Sequence, residues 1–203
     1  MRRGPGGILE GMLRFELGDD RSMRLLDAAD AEELYELIDA NREYLARWMP
    51  FVSQTRSAAD SLAFIRSTRR QMAENRGMQM AILAGERIIG VAGFHRIDWT
   101  SRSTSIGYWL AEAHQGSGTM TAAVRALLDH AFSVLRLARI EIRAGVENGR
   151  SRAIPERLHF HEIGTLRAAE RIGTELIDHV IYAITDVEWE SVSAAGSGHA
   201  MRA

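Results

Sequence analysis

Residues 107–121, GYWLAEAHQGSGTMT in one-letter code, constrain the fold more than any other stretch of the chain. An apolar run expected to be a strand over 104–110 passes through a loop holding Gly116 and Gly118 and enters a helix. The apolar residues of that helix, Val124, Leu127, Leu128, Ala131, Phe132 and Leu135, recur at helical spacing and mark a core-facing stripe. Beyond it Ile140, Ile142 and Ala144 alternate with charged neighbours, which reads as a strand over 139–146. Strand, helix and strand in that order imply a crossover. The glycines let the loop turn tightly onto the helix N-terminus, where unpaired N–H groups and the helix dipole favour negative charge, so a pyrophosphate fits there without a basic side chain. The loop lacks the third glycine of a dinucleotide fingerprint and the lysine of a P-loop, which argues against both.

Around this centre the pattern alternates between helices and strands. A short strand is expected over 23–26, then a helix opened by a capping-box-like pair, Asp30 and Glu33, and a second short helix over 42–48. Ser57 and Asp60 offer another helix start, with its end near 75–77. Strands over 78–83 and 87–94 flank a turn at 84–86 and, with 104–110, give three antiparallel neighbours. A helix over 152–158 and strands over 160–166 and 179–184 complete a mixed sheet with helices packed on it, an α/β or α+β fold.

At 203 residues the chain suffices for one domain, and the expected boundaries are a flexible extension over 1–20, a domain over 21–190 and a disordered tail over 191–203. The absence of cysteine excludes disulfides and an acyl-cysteine intermediate, and all 25 basic residues are arginine, which leaves no lysine for a Schiff base. A net charge of −2 gives no broad reason to expect nucleic-acid binding, and no apolar run is long enough to span a bilayer. These features give the expectation of a soluble, cytoplasmic protein. The seven histidines show no ligand spacing, so no metal site is expected.

The sequence resembles the GCN5-related N-acetyltransferases over roughly residues 23–189, and within them the branch that acetylates the N-termini of ribosomal proteins. The resemblance is carried by Gln115-Gly116-Ser117-Gly118-Thr119-Met120 in the loop, by Gly107 to Leu110 before it, by Asn148-Gly-Arg-Ser151 and the residues through Arg157, and by Leu166 to Glu170. Asp39 to Glu43 and Arg47 to Pro50 match the branch's first helices, which line the acceptor groove. The resemblance implies a mostly antiparallel sheet whose strands splay at an acetyl-CoA site. It also implies transfer of acetyl from acetyl-CoA to a primary amine by direct attack in a ternary complex, with a homodimer as the usual assembly and bacterial relatives.

The resemblance assigns the general base to Glu170 and the hydrogen bond to the departing sulfur to Ser151. Trp109, Leu110 and Ala111 would stabilise the oxyanion through backbone N–H groups, Gln115 to Met120 would bind the pyrophosphate, and Asn148 would bind the pantetheine arm. Each residue also has a plainer reading. Glu170 could join a surface charge network with Arg167 and Arg171, Ser151 could cap a helix, Asn148 could be a turn residue, and Trp48, Met49 and Phe51 could cap the core instead of lining an acceptor pocket. Two positions depart from the family. Ser117 stands where a basic residue is usual, which should weaken coenzyme binding by roughly 1 kcal/mol or less, so that Ser117→Arg is expected to tighten it. His159 replaces a glycine where a helix ends. The acceptor stays open between a protein N-terminus and a small amine such as a polyamine, an antibiotic or an aminoacyl nucleotide, and a coenzyme-binding sensor without turnover is a third reading.

Overall fold

A computed structural model of the chain describes residues 13–199. Its strands are β1 (Arg14–Gly18), β2 (Arg21–Leu25), β3 (Met78–Ala84), β4 (Arg87–Phe94), β5 (Ser103–Leu110), β6 (Arg139–Gly145), β7 (His161–Ile172) and β8 (Glu175–Thr185). They form one sheet in the order β1-β2-β3-β4-β5-β6-β8-β7, antiparallel throughout except between β5 and β6. The helices are α1 (Ala31–Ala40), α2 (Arg42–Leu45), α3 (Ala58–Ala73), α4 (Thr119–Ser133), α5 (Gly149–Arg157) and α6 (Asp186–His199).

β3 and β4 are apolar on both faces because both faces are covered. Met78, Met80, Ile82, Ala92 and Phe94 join a core with Val124, Leu127 and Leu128 of α4. Ala81, Leu83, Ile88 and Val91 join a second core with Leu34 and Ile38 of α1 and Ile65 of α3. The expected stripe of α4 is fully buried at Val124, Leu127, Leu128 and Ala131, and α4 makes the crossover between the parallel strands. Their pairing runs from Ser103↔Arg139 to Ile106↔Ile142 and stops. Beyond it β5 continues through residues 107–110 beside β4, and β6 through 143–145 beside β8. The strands therefore splay, and the gap between them opens at the head of α4 and α5.

Several boundaries differ from the sequence reading. The extension expected over 1–20 contains β1, which pairs with β2 and sets Phe15 edge-on against His130 of α4 at 5.5 Å; the part before residue 13 lies outside the described residues. The tail expected from 191 onward is helical through His199 in α6. The capping box lies three residues earlier than expected. Asp27 caps a 3-10 turn over Ala28–Asp30, and the Asp30 carboxylate takes the Arg24 guanidinium at 2.6 and 2.8 Å. Glu33 instead accepts from Ile88 N and pairs with Arg87. Ser57 caps α3 by accepting from Asp60 N, as its spacing suggests.

The end of α5 accounts for a glycine being the expected residue at position 159. Phe160 N donates to Pro155 O at 3.0 Å and His159 N to Glu156 O at 3.2 Å, the paired bonds of a Schellman ending. His159 between them has φ 60, the left-handed region that favours glycine. We expect His159→Gly to stabilise the fold by about 1 kcal/mol, read as a higher Tm; a lower Tm would show that the imidazole contributes more than the strained backbone costs.

Candidate active site

The loop that enters α4 needs its glycines for their backbone. Gly116 has φ 77 and Gly118 φ 80, so both sit in the left-handed region, and neither is crowded by neighbours. Gly118 is the N-cap of α4 and no side chain caps the first turn. The amides of that turn therefore face a cavity of about 980 Å³ lined by Gly116, Gly118, Thr119, Met120 and Thr121. Arg125, Arg150 and Arg157 line the same cavity, a local positive patch hidden inside a net charge of −2. The ring of Trp189 lies 5.3 Å from the Arg125 guanidinium, and Arg157 donates to Thr121 Oγ1 at 2.9 Å. Uncapped amides with arginines around them suit an anionic ligand carrying several phosphates.

Gln115 is a brace. Its amide nitrogen donates to Tyr44 Oη at 2.6 Å and to Leu110 O at 3.3 Å, and its oxygen accepts from Arg150 at 2.6 Å, so one side chain ties α2, β5 and α5 to the loop. The backbone donors of β5 divide between two sides. Ala111 N donates to Ile89 O at 2.8 Å, and the alternation of an antiparallel ladder makes Val91 and Trp109 a bonded pair as well. The N–H groups of Trp109 and Ala111 are thus spent on β4. Those of Tyr108 and Leu110 point into the gap left by β6, so of the three backbone donors expected over Trp109 to Ala111 Leu110 is the one that faces the gap, with Tyr108 beside it.

At the start of α5 the cap expected of Ser151 belongs to Asn148, whose side-chain oxygen accepts from Ser151 N at 3.1 Å. That leaves the Asn148 amide N–H groups for other partners. Tyr108 Oη donates to Ser151 O at 2.9 Å and accepts from the Ser151 hydroxyl at 3.4 Å. Burial pushes its phenol far above the ordinary tyrosine value, so Tyr108 stays a neutral hydroxyl. Sequence reasoning passed over Tyr108 although it stands inside the GYWL motif, because its contact with Ser151 joins residues far apart in the chain.

Glu170 reaches the site through a bulge. Leu166 pairs with His179 and Glu170 with Ile177, so β7 spends two more residues than β8 over this stretch. Ala168 takes φ 50 there, with its N–H donating to Asp178 at 2.7 Å. The bulge turns the Glu170 carboxylate into a second cavity, of about 860 Å³, where it lies 3.4 Å from His179 Nε2. Among the described residues the surface network with Arg167 and Arg171 does not form, and Glu170 instead lies beside the His179 imidazole.

The two cavities share Trp48, Met49, Tyr108, Trp109, Asn148 and Ser151. They meet where β5 and β6 diverge. Trp48 and Met49 line both, and Phe51 lines the second while its ring sits 6.3 Å from Trp109. Met49 and Phe51 also pack on the second core, so each lines a cavity and caps the core at once. A family profile described as an acetyltransferase (GNAT) domain matches residues 22–161. The chain belongs to the GNAT acetyltransferase family. It is 36% identical over 181 residues to a putative ribosomal N-acetyltransferase, YdaF, of Bacillus subtilis (strain 168), covering 88% of this chain and 98% of the relative. It is 31% identical over 152 residues to the ribosomal-protein-serine acetyltransferase of Escherichia coli (strain K12), covering 74% and 84%. Among solved structures, the microcin C7 self-immunity acetyltransferase MccE in complex with acetyl-CoA and AMP superposes with a TM-score of 0.80 at 27% identity, covering 88% and 98%.

As a GNAT enzyme the chain is an acetyl-CoA-dependent N-acetyltransferase. The residues present fit that coenzyme: the larger cavity offers uncapped amides and arginines that suit its phosphates. Among the described residues no group of three or more His, Cys, Asp or Glu is placed to hold a metal ion, and no helix is long and apolar enough to cross a membrane.

Proposed function

We propose that this enzyme acetylates the N-terminal α-amine of a protein, by direct attack of the amine on acetyl-CoA in a ternary complex. The observation that carries the reading is the junction of the two cavities, with the Glu170 carboxylate lining one side and Asn148 and Ser151 shared by both. Glu170 takes a proton from the ammonium, directly or through water, and frees the nitrogen lone pair. The nitrogen attacks the thioester carbonyl, and the Leu110 N–H in the splay stabilises the oxyanion. As the C–S bond breaks, the Ser151 hydroxyl gives its proton to the departing sulfur and takes up the proton the nitrogen loses on becoming an amide, while the Asn148 amide holds the pantetheine arm.

The choice of a protein terminus rests on the relatives, two of which are named as ribosomal acetyltransferases. Such a substrate places the enzyme in the cytoplasm. A small amine is the second reading, favoured by the size of the second cavity, which lies in the range of small-molecule sites, and by the AMP in the MccE structure. The test is acetyl-CoA-dependent thiol release with peptides beginning in serine or alanine, with polyamines and with amine antibiotics. We expect turnover on the peptides. Turnover on the small amines alone would replace the leading reading with the second, and coenzyme binding without turnover on any of them would favour a sensor.

A further inference from the structure

Ser117 leaves the loop without the basic side chain the family resemblance expects, and the structure brings a cation there from another element. Arg21, the first residue of β2, donates through one guanidinium nitrogen to Ser117 Oγ at 3.3 Å and to Thr119 Oγ1. None of the ion pairs among the described residues involves Arg21. Its charge is therefore spent on two hydroxyls and not on a carboxylate. A hydroxyl that accepts from a guanidinium keeps its own hydrogen to give away. Ser117 gives its hydrogen to His114 O at 3.2 Å, and Thr119 Oγ1 lies 2.9 Å from Ser117 Oγ. Thr119 is the first residue of α4 and lines the larger cavity, beside the uncapped amides.

We infer that Arg21 supplies from β2 a further counter-charge for the coenzyme's diphosphate, behind the loop and in addition to the arginines that line the cavity. It acts through Thr119 and Ser117 and is a positioning residue: it fixes the two hydroxyls and sets a positive charge directly behind the first turn of α4. The expectation that Ser117→Arg tightens coenzyme binding changes accordingly. In the unaltered protein a second guanidinium would crowd Arg21 and displace its hydrogen bond, so the gain appears only when Arg21 is absent.

The inference rests on coenzyme binding at the larger cavity, so calorimetry with coenzyme A on the full chain is the test. Arg21→Gln keeps a hydrogen-bond donor without the charge, and Arg21→Lys keeps the charge. We expect Arg21→Gln to weaken binding roughly five- to tenfold at low salt and the deficit to shrink as salt rises. The KM for acetyl-CoA should rise with it while kcat at saturation moves less than about twofold. Arg21→Lys should stay near the unaltered protein, and Ser117→Arg added to Arg21→Gln should recover most of the loss. Unchanged affinity in Arg21→Gln would overturn the assignment, as would a deficit that salt does not alter, which marks a merely structural role. Failure of the unaltered protein to bind coenzyme A would overturn the assignment together with the acyl-transfer reading.

Discussion

Glu170→Gln should lower kcat by roughly 10²- to 10³-fold at pH 7 while leaving the Kd for acetyl-CoA nearly unchanged. The substitution keeps the size and one hydrogen-bonding oxygen but removes the group that accepts the proton. The carboxylate lines the second cavity and not the larger one, so the coenzyme site does not feel the change. The deficit should also depend on pH in a definite direction. A peptide α-amine ionises near about pH 8, so above that the acceptor is increasingly neutral without help and the need for Glu170 fades. A ratio of unaltered to variant kcat that narrows between pH 7 and pH 9.5 supports this role. Wild-type-like turnover at pH 7 would remove Glu170 from the mechanism, and an equal loss of coenzyme affinity would show that the variant disturbs the fold.

Leu127→Ala should destabilise the fold strongly. Leu127 is fully buried in the stripe by which α4 seats on the sheet. Removing it costs the transfer of the side chain and leaves a cavity, about 2–5 kcal/mol together. For a domain of this size that lowers Tm by roughly 5–15 °C. Val134, at the exposed end of the same helix, is the control: Val134→Ala should stay within about 0.5 kcal/mol. The loss matters for function because α4 holds the coenzyme loop at its head, and equal stability of the two variants would mean that the helix is seated by something other than its stripe.

The parts legible in the sequence are those set by local periodicity. The stripe of α4 and the alternation of β6 were visible because each apolar residue reports on its own face, and the β3–β4 hairpin because two continuous apolar runs flank a turn. β1 and β7 were hidden or cut short for the converse reason. β1 is an edge strand with exposed charged residues, and most of β7 lies exposed at the opposite edge. An edge strand with little burial carries a weak apolar signal. The candidate site divides the same way. Gly116 and Gly118 announce themselves because positive φ selects glycine. The direction of Glu170 depends on a two-residue bulge, and the arrival of Arg21 beside Ser117 depends on pairings far apart in sequence, which no local pattern records. The strand alternation that separates Leu110 from Trp109 and Ala111 was available in principle, once the last β5–β6 pair was known.

The most direct test of direct transfer between joined cavities is an initial-rate study in which acetyl-CoA and the best peptide acceptor are varied together, with the intact mass of the enzyme followed in parallel. Both substrates bound at once predict intersecting double-reciprocal lines and an enzyme that never carries an acetyl group during turnover. Parallel lines with a stoichiometrically acetylated enzyme that passes its acetyl to the acceptor would contradict the account, because acetyl would then reach the amine by way of the protein.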